Sequence, residues 1–157
     1  MAQMWEALRG RRHEMQKTPV FIVIIVTAIA VLLIELFKGD SVKLTYDQLL
    51  ALAQGAGFPP GDDITAAAIA LAESGGNQNA YNPETAAGAG PGMGSYGLWQ
   101  IYRTAHPEFA IENLYDARTN ASAAFTVYLQ SGRSFNPWST FKSGAYLAYV
   151  PDTAQYA

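Results

Sequence analysis

The stretch SYGLWQI at residues 95–101 puts a glycine among hydroxyl, aromatic and amide side chains and predicts a loop with a binding role. Upstream, at residues 70–76, the chain reads ALAESGG, where an alanine-rich apolar pattern stops. The two glycines that follow predict a helix end close to Glu73. A carboxylic acid at a helix end, facing a glycine-containing loop, is typical of a general acid. Glu73 is therefore the first candidate for a catalytic residue.

The region around these two stretches is predicted to be mainly helical. Thr45 and Gln48 have the spacing of a capping box, so a first helix is expected to begin there. Asp62 or Asp63 is expected to cap a second helix, in which apolar residues recur at three- and four-residue spacing up to Glu73. The many alanines in this second helix predict close contacts with its neighbours.

A third helix is expected to begin at Asp116 or Thr119 and to end before Gly132. Its predicted apolar face consists of Ala121, Ala124, Phe125, Tyr128 and Leu129. Residues 77–93 are rich in Asn, Pro and Gly, which predicts a loop or a small hairpin that forms a cleft wall. The aromatic tail at residues 135–146 is expected to be irregular.

The ordered series of motifs resembles the lytic transglycosylases of the lysozyme-like superfamily, especially the small ones carried by phage particles and secretion machines. The resemblance runs from Thr45 to Val150. It is carried by residues 70–76 and 95–101, followed by His106-Pro107, Asn120-Ala121 and Pro137-Trp138-Ser139. It implies a lysozyme-like small α+β domain, mainly α with a minor β-hairpin, and a long saccharide cleft. It implies neither a metal nor an organic cofactor.

The resemblance also implies roles for individual residues. Glu73 matches the family's single catalytic acid, which protonates the β-1,4 glycosidic oxygen between N-acetylmuramic acid and N-acetylglucosamine. Ser95, Gly97 and Gln100 fall in the substrate-binding loop, where Gly97 would allow close backbone approach and the other two would offer hydrogen bonds to an acetamido sugar. Tyr146 is the first candidate for the tyrosine that orients the acid and borders the substrate. The other candidates are Tyr128, which is more simply a core residue, and Tyr149, which is more simply a surface residue.

Other residues have alternative interpretations. Trp99 stands where many relatives carry methionine, and it either packs beneath Glu73 or touches sugar. Asp116 is a candidate second carboxylate, although a helix cap is the simpler role. His106 is more simply a turn residue. Three aromatic residues could stack on sugar rings, yet aromatics in so small a domain usually belong to the core. They are Tyr81, Phe135 and Trp138.

The apolar run near the N-terminus predicts a membrane span. Residues 20–37 contain only two strongly polar side chains, Thr27 and Glu35. As a helix at ~1.5 Å per residue this run covers roughly 27 Å, close to the ~30 Å of a bilayer's hydrocarbon core. We therefore expect a transmembrane helix at residues 19–38. A cleaved signal peptide is the alternative, but apolar residues continue past its only candidate cleavage site.

The segments on either side of the span complete the expected domain order. They are a basic arm at residues 1–18, a linker at residues 39–44 and the lysozyme-like domain at residues 45–157. More Lys and Arg precede the span than follow it closely, which places the N-terminus on the cytoplasmic side or inside a virion. The domain would then face the periplasm and the cell wall.

Composition limits the partners of this domain. From Gly39 onward, five Lys and Arg residues stand against ten Asp and Glu residues, so nucleic acid is not expected as its partner. The chain contains no cysteine, which excludes disulfides and thiolate metal sites.

The expected function is a membrane-anchored lytic transglycosylase that cleaves peptidoglycan glycan strands and lets a phage genome or a secretion machine through the wall. Its expected partners are the glycan strands, the lipid bilayer through residues 19–38, and other proteins of a virion or secretion machine. The alternatives are a hydrolytic lysozyme, a non-catalytic wall-binding or structural membrane protein, and, more distantly, a chitinase-like enzyme.

Overall fold

The computed structural model describes residues 43–152. The predicted basic arm at residues 1–18, the predicted span at residues 19–38 and most of the predicted linker at residues 39–44 lie outside the described residues. Within residues 43–152, no helix has both the length and the apolar character needed to cross a bilayer.

The described chain begins with two helices, and local sequence signals set most of their ends. Helix α1 (Tyr46–Ala56) begins at the predicted capping box, in which Thr45 N donates to Gln48 Oε1 at 2.9 Å. Helix α2 (Asp62–Ser74) ends at Gly75, whose left-handed backbone lets its N–H cap Leu71 O. The N-cap of α2 is Gly61, not Asp62 or Asp63, because Asp63 Oδ1 instead accepts from the backbone N–H groups of Gly61 and Ile64.

Helix α3 (Ala117–Gln130) starts at Asp116, as predicted. Asp116 Oδ1 accepts from Thr119 N at 2.9 Å, which satisfies a free N–H group of the first turn. The predicted apolar face is confirmed except at Leu129, which is 44% exposed, whereas Val127 is buried. Residues two positions apart point to nearly opposite sides of an α-helix, so Val127 faces the core and Leu129 faces away from it.

A three-stranded antiparallel sheet lies between α2 and α3 in the chain. It consists of β1 (Tyr81–Asn82), β2 (Ser95–Tyr96) and β3 (Ile101–Tyr102), in the order β1-β2-β3. Asn82 pairs with Ser95, and Ser95 also pairs with Tyr102. Residues 77–93, predicted to be a loop or a small hairpin, contain β1 and most of the loop that leads to β2, the central strand.

The C-terminal part folds over the core. A short helix α4 (Ser139–Lys142) and a 3₁₀ turn at Ala145–Tyr149 replace the irregular tail that was expected. Phe135 and Trp138 are both buried, and the Phe135 ring packs with those of Phe58 and Tyr128. These aromatic residues therefore belong to the core. The described chain is mainly helical with a small sheet, which agrees with the predicted α+β class.

Candidate active site

Glu73 lies in the last turn of α2, where it is half-buried. The residues one turn before it on the helix, Ile69 and Ala70, are fully buried. Burial raises the pKa of Glu73, because an apolar environment disfavours the charged form. A carboxyl group that keeps its proton closer to neutral pH is suited to act as a general acid.

Thr140 is the hydrogen-bonding partner of this acid. Its Oγ1 donates to Glu73 Oε1 at 2.7 Å. This side-chain bond and a backbone bond from Thr140 favour the carboxylate and partly offset the rise in the pKa of Glu73. Thr140 was not singled out from the sequence, although it directly follows the Pro137-Trp138-Ser139 motif. That position after a recognisable motif was the only signal for it.

Two buried tryptophans place Thr140 beside Glu73. The indole N–H of Trp99 donates to Ala66 O of α2 at 2.9 Å, which ties the 95–101 loop to the helix that carries the acid. The indole N–H of Trp138 donates to Trp99 O at 2.8 Å and so ties the start of α4 to the same loop. Trp99 is fully buried, so it packs in the core instead of touching sugar.

Replacing Thr140 with Val is expected to raise the pKa of Glu73 further, because the carboxylate loses a donor while the shape of the side chain is kept. The basic limb of the pH profile of kcat should then move to higher pH. A net hydrogen bond of about 0.5–1.5 kcal/mol predicts a loss of up to roughly tenfold in kcat. Thr126→Val on α3 is the matched control. An unchanged pH profile would show that Thr140 does not act on Glu73.

Tyr146 does not hydrogen-bond to Glu73 in the described part of the chain. It is half-buried in the 3₁₀ turn after α4, and its ring stacks on Phe141 with the centroids 5.1 Å apart. The orienting bond expected from Tyr146 is made by Thr140. A contact of Tyr146 with substrate stays a prediction.

Gly97 is required by the packing of the 95–101 loop. Its φ of +73° lies in the left-handed region, and a Cβ there would collide with Leu114 O and the amide of Asn120. Asn120 is buried on α3 and accepts from Trp99 N at 2.8 Å. Its Nδ2 donates to Tyr96 O at 3.0 Å and to Leu114 O at 2.9 Å. The close approach at Gly97 is thus made to protein, and an approach to substrate stays a prediction.

Gln100 is also engaged within the protein. Its Nε2 donates to Gly97 O at 2.9 Å and, more weakly, to Ala80 O at 3.4 Å. Its backbone has a φ of +46°, which is uncommon for a residue other than glycine. Gln100 therefore holds the loop against the segment that leads into β1. Binding of an acetamido sugar by its amide stays a prediction.

Ser95 contacts a second carboxylate that the sequence did not single out. Its buried Oγ donates to Glu84 Oε1 at 2.8 Å. The charge of Glu84 is one of the causes that raise the pKa of Glu73, so both acids belong to one electrostatic site. Glu84 is the only acidic residue between Glu73 and Glu108 in the sequence, which was the signal available for it.

The remaining candidates lie elsewhere. Asp116 caps α3, and its hydrogen bonds to Thr119 lower the pKa of its carboxyl. His106 precedes a 3₁₀ turn and contacts Glu108 at 3.4 Å. Tyr81 is 43% exposed on β1, and its ring packs on that of Tyr96 with the centroids 4.8 Å apart. Of the three aromatic candidates, Tyr81 alone has the exposure that stacking on a sugar requires.

A cavity of about 900 Å³ is lined by residues other than the acid. Its described lining residues come mainly from α1 and α3 and include Gln48, Gln78 and Asp116, but not Glu73. Within residues 43–152 no group of three or more His, Asp or Glu side chains is arranged to hold a metal ion. The chemistry described above is therefore assigned to the surface between the end of α2 and the small sheet.

Comparison with known proteins agrees with this geometry. A family model described as a lysozyme-like domain matches residues 50–140, which is more than half of the chain and includes α2, the sheet and α3. Neither a curated protein nor a solved structure matches the chain. A lysozyme-like domain indicates a glycosidase or a transglycosylase that acts on peptidoglycan. With a half-buried acid at the helix end and a match of this extent, the chain belongs to the lysozyme-like domain family.

Proposed function

We propose that this protein is a peptidoglycan lytic transglycosylase in which Glu73 acts first as acid and then as base. The observation that supports this most is the environment of Glu73: it is half-buried, its pKa is raised, and Thr140 holds its Oε1 in one orientation. An acid that is oriented and partly withheld from water can deliver its proton to a bound ether oxygen.

The proposed reaction needs only one carboxyl group for proton transfer. Glu73 donates its proton to the glycosidic oxygen, and the bond from that oxygen to the anomeric carbon of N-acetylmuramic acid breaks. The sugar's own 6-hydroxyl oxygen then bonds to the anomeric carbon, and its proton passes to the Glu73 carboxylate. The acid is regenerated, no water is consumed, and the product carries a 1,6-anhydro ring.

Hydrolysis is the second candidate, and the presence of Glu84 near Glu73 favours it. A second carboxylate in a glycosidase can guide a water molecule to the anomeric carbon. Glu73 would then serve as acid in the same way, but water would supply the new oxygen. The product would have a reducing end in place of the anhydro ring.

Product analysis separates the two reactions. Purified peptidoglycan is digested with the full-length protein in detergent, and the released fragments are analysed by mass spectrometry. We expect muramic acid ends lighter by one water molecule and no label from ¹⁸O-water. Labelled reducing ends would contradict the transglycosylase proposal and establish the lysozyme. Absence of any cleavage would instead favour a wall-binding or structural protein.

We further propose that residues 19–38 anchor the enzyme in a membrane, with the N-terminus cytoplasmic or inside a virion. The apolar run and the basic arm before it support this arrangement. A tether of this kind confines cleavage to wall close to the bilayer, which suits local opening for a phage genome or a secretion machine. Release of the full-length chain from membranes by alkaline carbonate would contradict the anchor.

A further inference from the structure

Glu84 is held by two residues that are paired on neighbouring strands of the sheet. Asn82 on β1 pairs with Ser95 on β2, and both side chains donate to the same oxygen of Glu84. Ser95 Oγ lies 2.8 Å and Asn82 Nδ2 lies 2.9 Å from Glu84 Oε1. Because the register of β1 and β2 sets the positions of both donors, it also sets the position of the carboxylate.

The backbone at Glu84 supports a specific role for this side chain. Its φ of +52° lies in the left-handed region, where glycine or asparagine is favoured. A glutamate there costs on the order of 1 kcal/mol. The backbone N–H of Glu84 donates to Asn82 Oδ1 at 3.2 Å, so Asn82 holds both the backbone and the carboxylate. Strain of this kind persists when the surroundings require that side chain in that place.

The charge of Glu84 is left largely uncompensated. Across residues 43–152, no Lys or Arg lies within ion-pair distance of its carboxylate, and both hydrogen bonds from side chains go to Oε1. Oε2 therefore accepts no side-chain hydrogen bond from the described residues. Glu84 is partly exposed, so this second oxygen is the one that can face a bound ligand.

We propose that Glu84 acts in glycan cleavage as a fixed negative charge that stabilises the positive charge developing on the sugar, with Ser95 and Asn82 as its positioning residues. The inference rests on the proposed function, since it concerns the same reaction. Cleavage of a glycosidic bond passes through an oxocarbenium-like state, with positive charge at the anomeric carbon and the ring oxygen. A preorganised carboxylate stabilises that charge without forming a bond to the sugar.

The same charge helps Glu73 in both of its steps. Before cleavage its negative charge adds to burial, the main cause, in raising the pKa of Glu73 and so favours the protonated form. After proton donation both groups are carboxylates, and their repulsion makes Glu73 a stronger base toward the 6-hydroxyl proton. Ser95 then acts through Glu84, in addition to any bond it makes to a sugar.

The test is a kinetic comparison of Glu84→Gln with wild type on peptidoglycan, using the full-length protein. Gln keeps the shape and an acceptor for Ser95 but removes the charge. Preorganised electrostatic groups of this kind are typically worth about 10²- to 10³-fold in kcat. We expect a loss of that size with KM within about threefold of wild type. Activity within about threefold of wild type, or a loss confined to KM, would overturn the proposal.

Glu112→Gln is the matched control, because it also removes one exposed carboxylate and its side chain has no part in the site. It should stay within about twofold of wild type. A second readout covers the case in which Glu84→Gln is poorly folded. Ser95→Ala keeps the charge but loses one donor, so it should lose less activity than Glu84→Gln, and equal losses in both variants would contradict the assigned roles.

NMR titration of Glu73 gives a readout that a purely structural role would not move. The pKa of Glu73 should fall in Glu84→Gln, because a neighbouring negative charge is removed, and an unchanged pKa would overturn the inference. Product analysis keeps the two proposals apart. Labelled reducing ends from the wild type would contradict the transglycosylase alone, whereas anhydro products with a fully active Glu84→Gln would contradict the role of Glu84 alone.

Discussion

Glu73→Gln is expected to lower the rate of peptidoglycan cleavage by about 10²- to 10⁴-fold, the usual contribution of general acid–base catalysis. The upper end of this range is expected, because in the proposed reaction the same carboxyl donates one proton and accepts another. The amide can still accept the hydrogen bond from Thr140, so the geometry of the site is retained. Turbidity loss of cell-wall suspensions and fragment release measure the effect.

The folded state of this variant can be checked separately. The pKa of Glu73 is raised above its unfolded value, so the stability linked to its neutral form is present at low pH and is lost as pH rises through the folded-state pKa. Gln cannot ionise and avoids this loss. The melting temperature of Glu73→Gln should therefore equal or exceed that of wild type at neutral pH, and the difference should shrink on acidification.

Asp116→Asn is the control for this prediction, because Asp116 was the rival carboxylate in the sequence. It caps α3, and Asn is an equally good N-cap, so both activity and stability should stay close to wild type. Cleavage by Glu73→Gln within about tenfold of wild type would show that another group supplies the proton.

Asn120→Ala is expected to cost about 3–5 kcal/mol in the free energy of unfolding, since a buried amide with three hydrogen bonds is lost. The change leaves Trp99 N–H without its acceptor and the carbonyl groups of Tyr96 and Leu114 without their donor. Two of these groups, on Tyr96 and Trp99, lie on the 95–101 loop, and the third, Leu114 O, lies just before α3. Activity should therefore fall together with stability.

Denaturant unfolding of Asn120→Ala, followed by circular dichroism, measures this loss. Asn113→Ala is the matched control: Asn113 is exposed, and its Oδ1 accepts a single weak bond from Tyr115 N at 3.3 Å. Its cost should stay below about 0.5 kcal/mol, as for most surface substitutions. A loss below about 1 kcal/mol for Asn120→Ala would mean that water replaces the lost amide bonds.

The start of α1, the end of α2 and the start of α3 were predictable from the sequence. The capping box at Thr45, the N-cap at Asp116 and the glycine after Ser74 each act within about one turn of their own helix. The same local signals predicted that Glu73 lies close to a helix end. The prediction was wrong at Leu129, because the elements that pack against α3, and not the spacing of its apolar residues alone, decide which side is buried.

The partners of the acid could not be predicted in this way. Thr140 is 67 residues from Glu73 in the chain, and Asn120 is 21 residues from Trp99. No sequence repeat and no fixed spacing predicts either contact. For Glu84 the sequence offered only its isolation among acidic residues. Its hydrogen bonds depend on the pairing of Asn82 with Ser95, and strands of two residues show no alternating pattern that would predict this pairing.

From the sequence one could predict where α1 and α3 begin, that α2 ends close to Glu73, and that a glycine-containing loop follows. The groups that act on that acid became visible only in the folded structure: Thr140 as its donor and Glu84 as a neighbouring charge. The two sets of features differ in the distance along the chain over which the responsible interactions act. Caps and helical periodicity act over three or four residues, whereas the pKa and the orientation of a carboxyl depend on groups that only packing brings near.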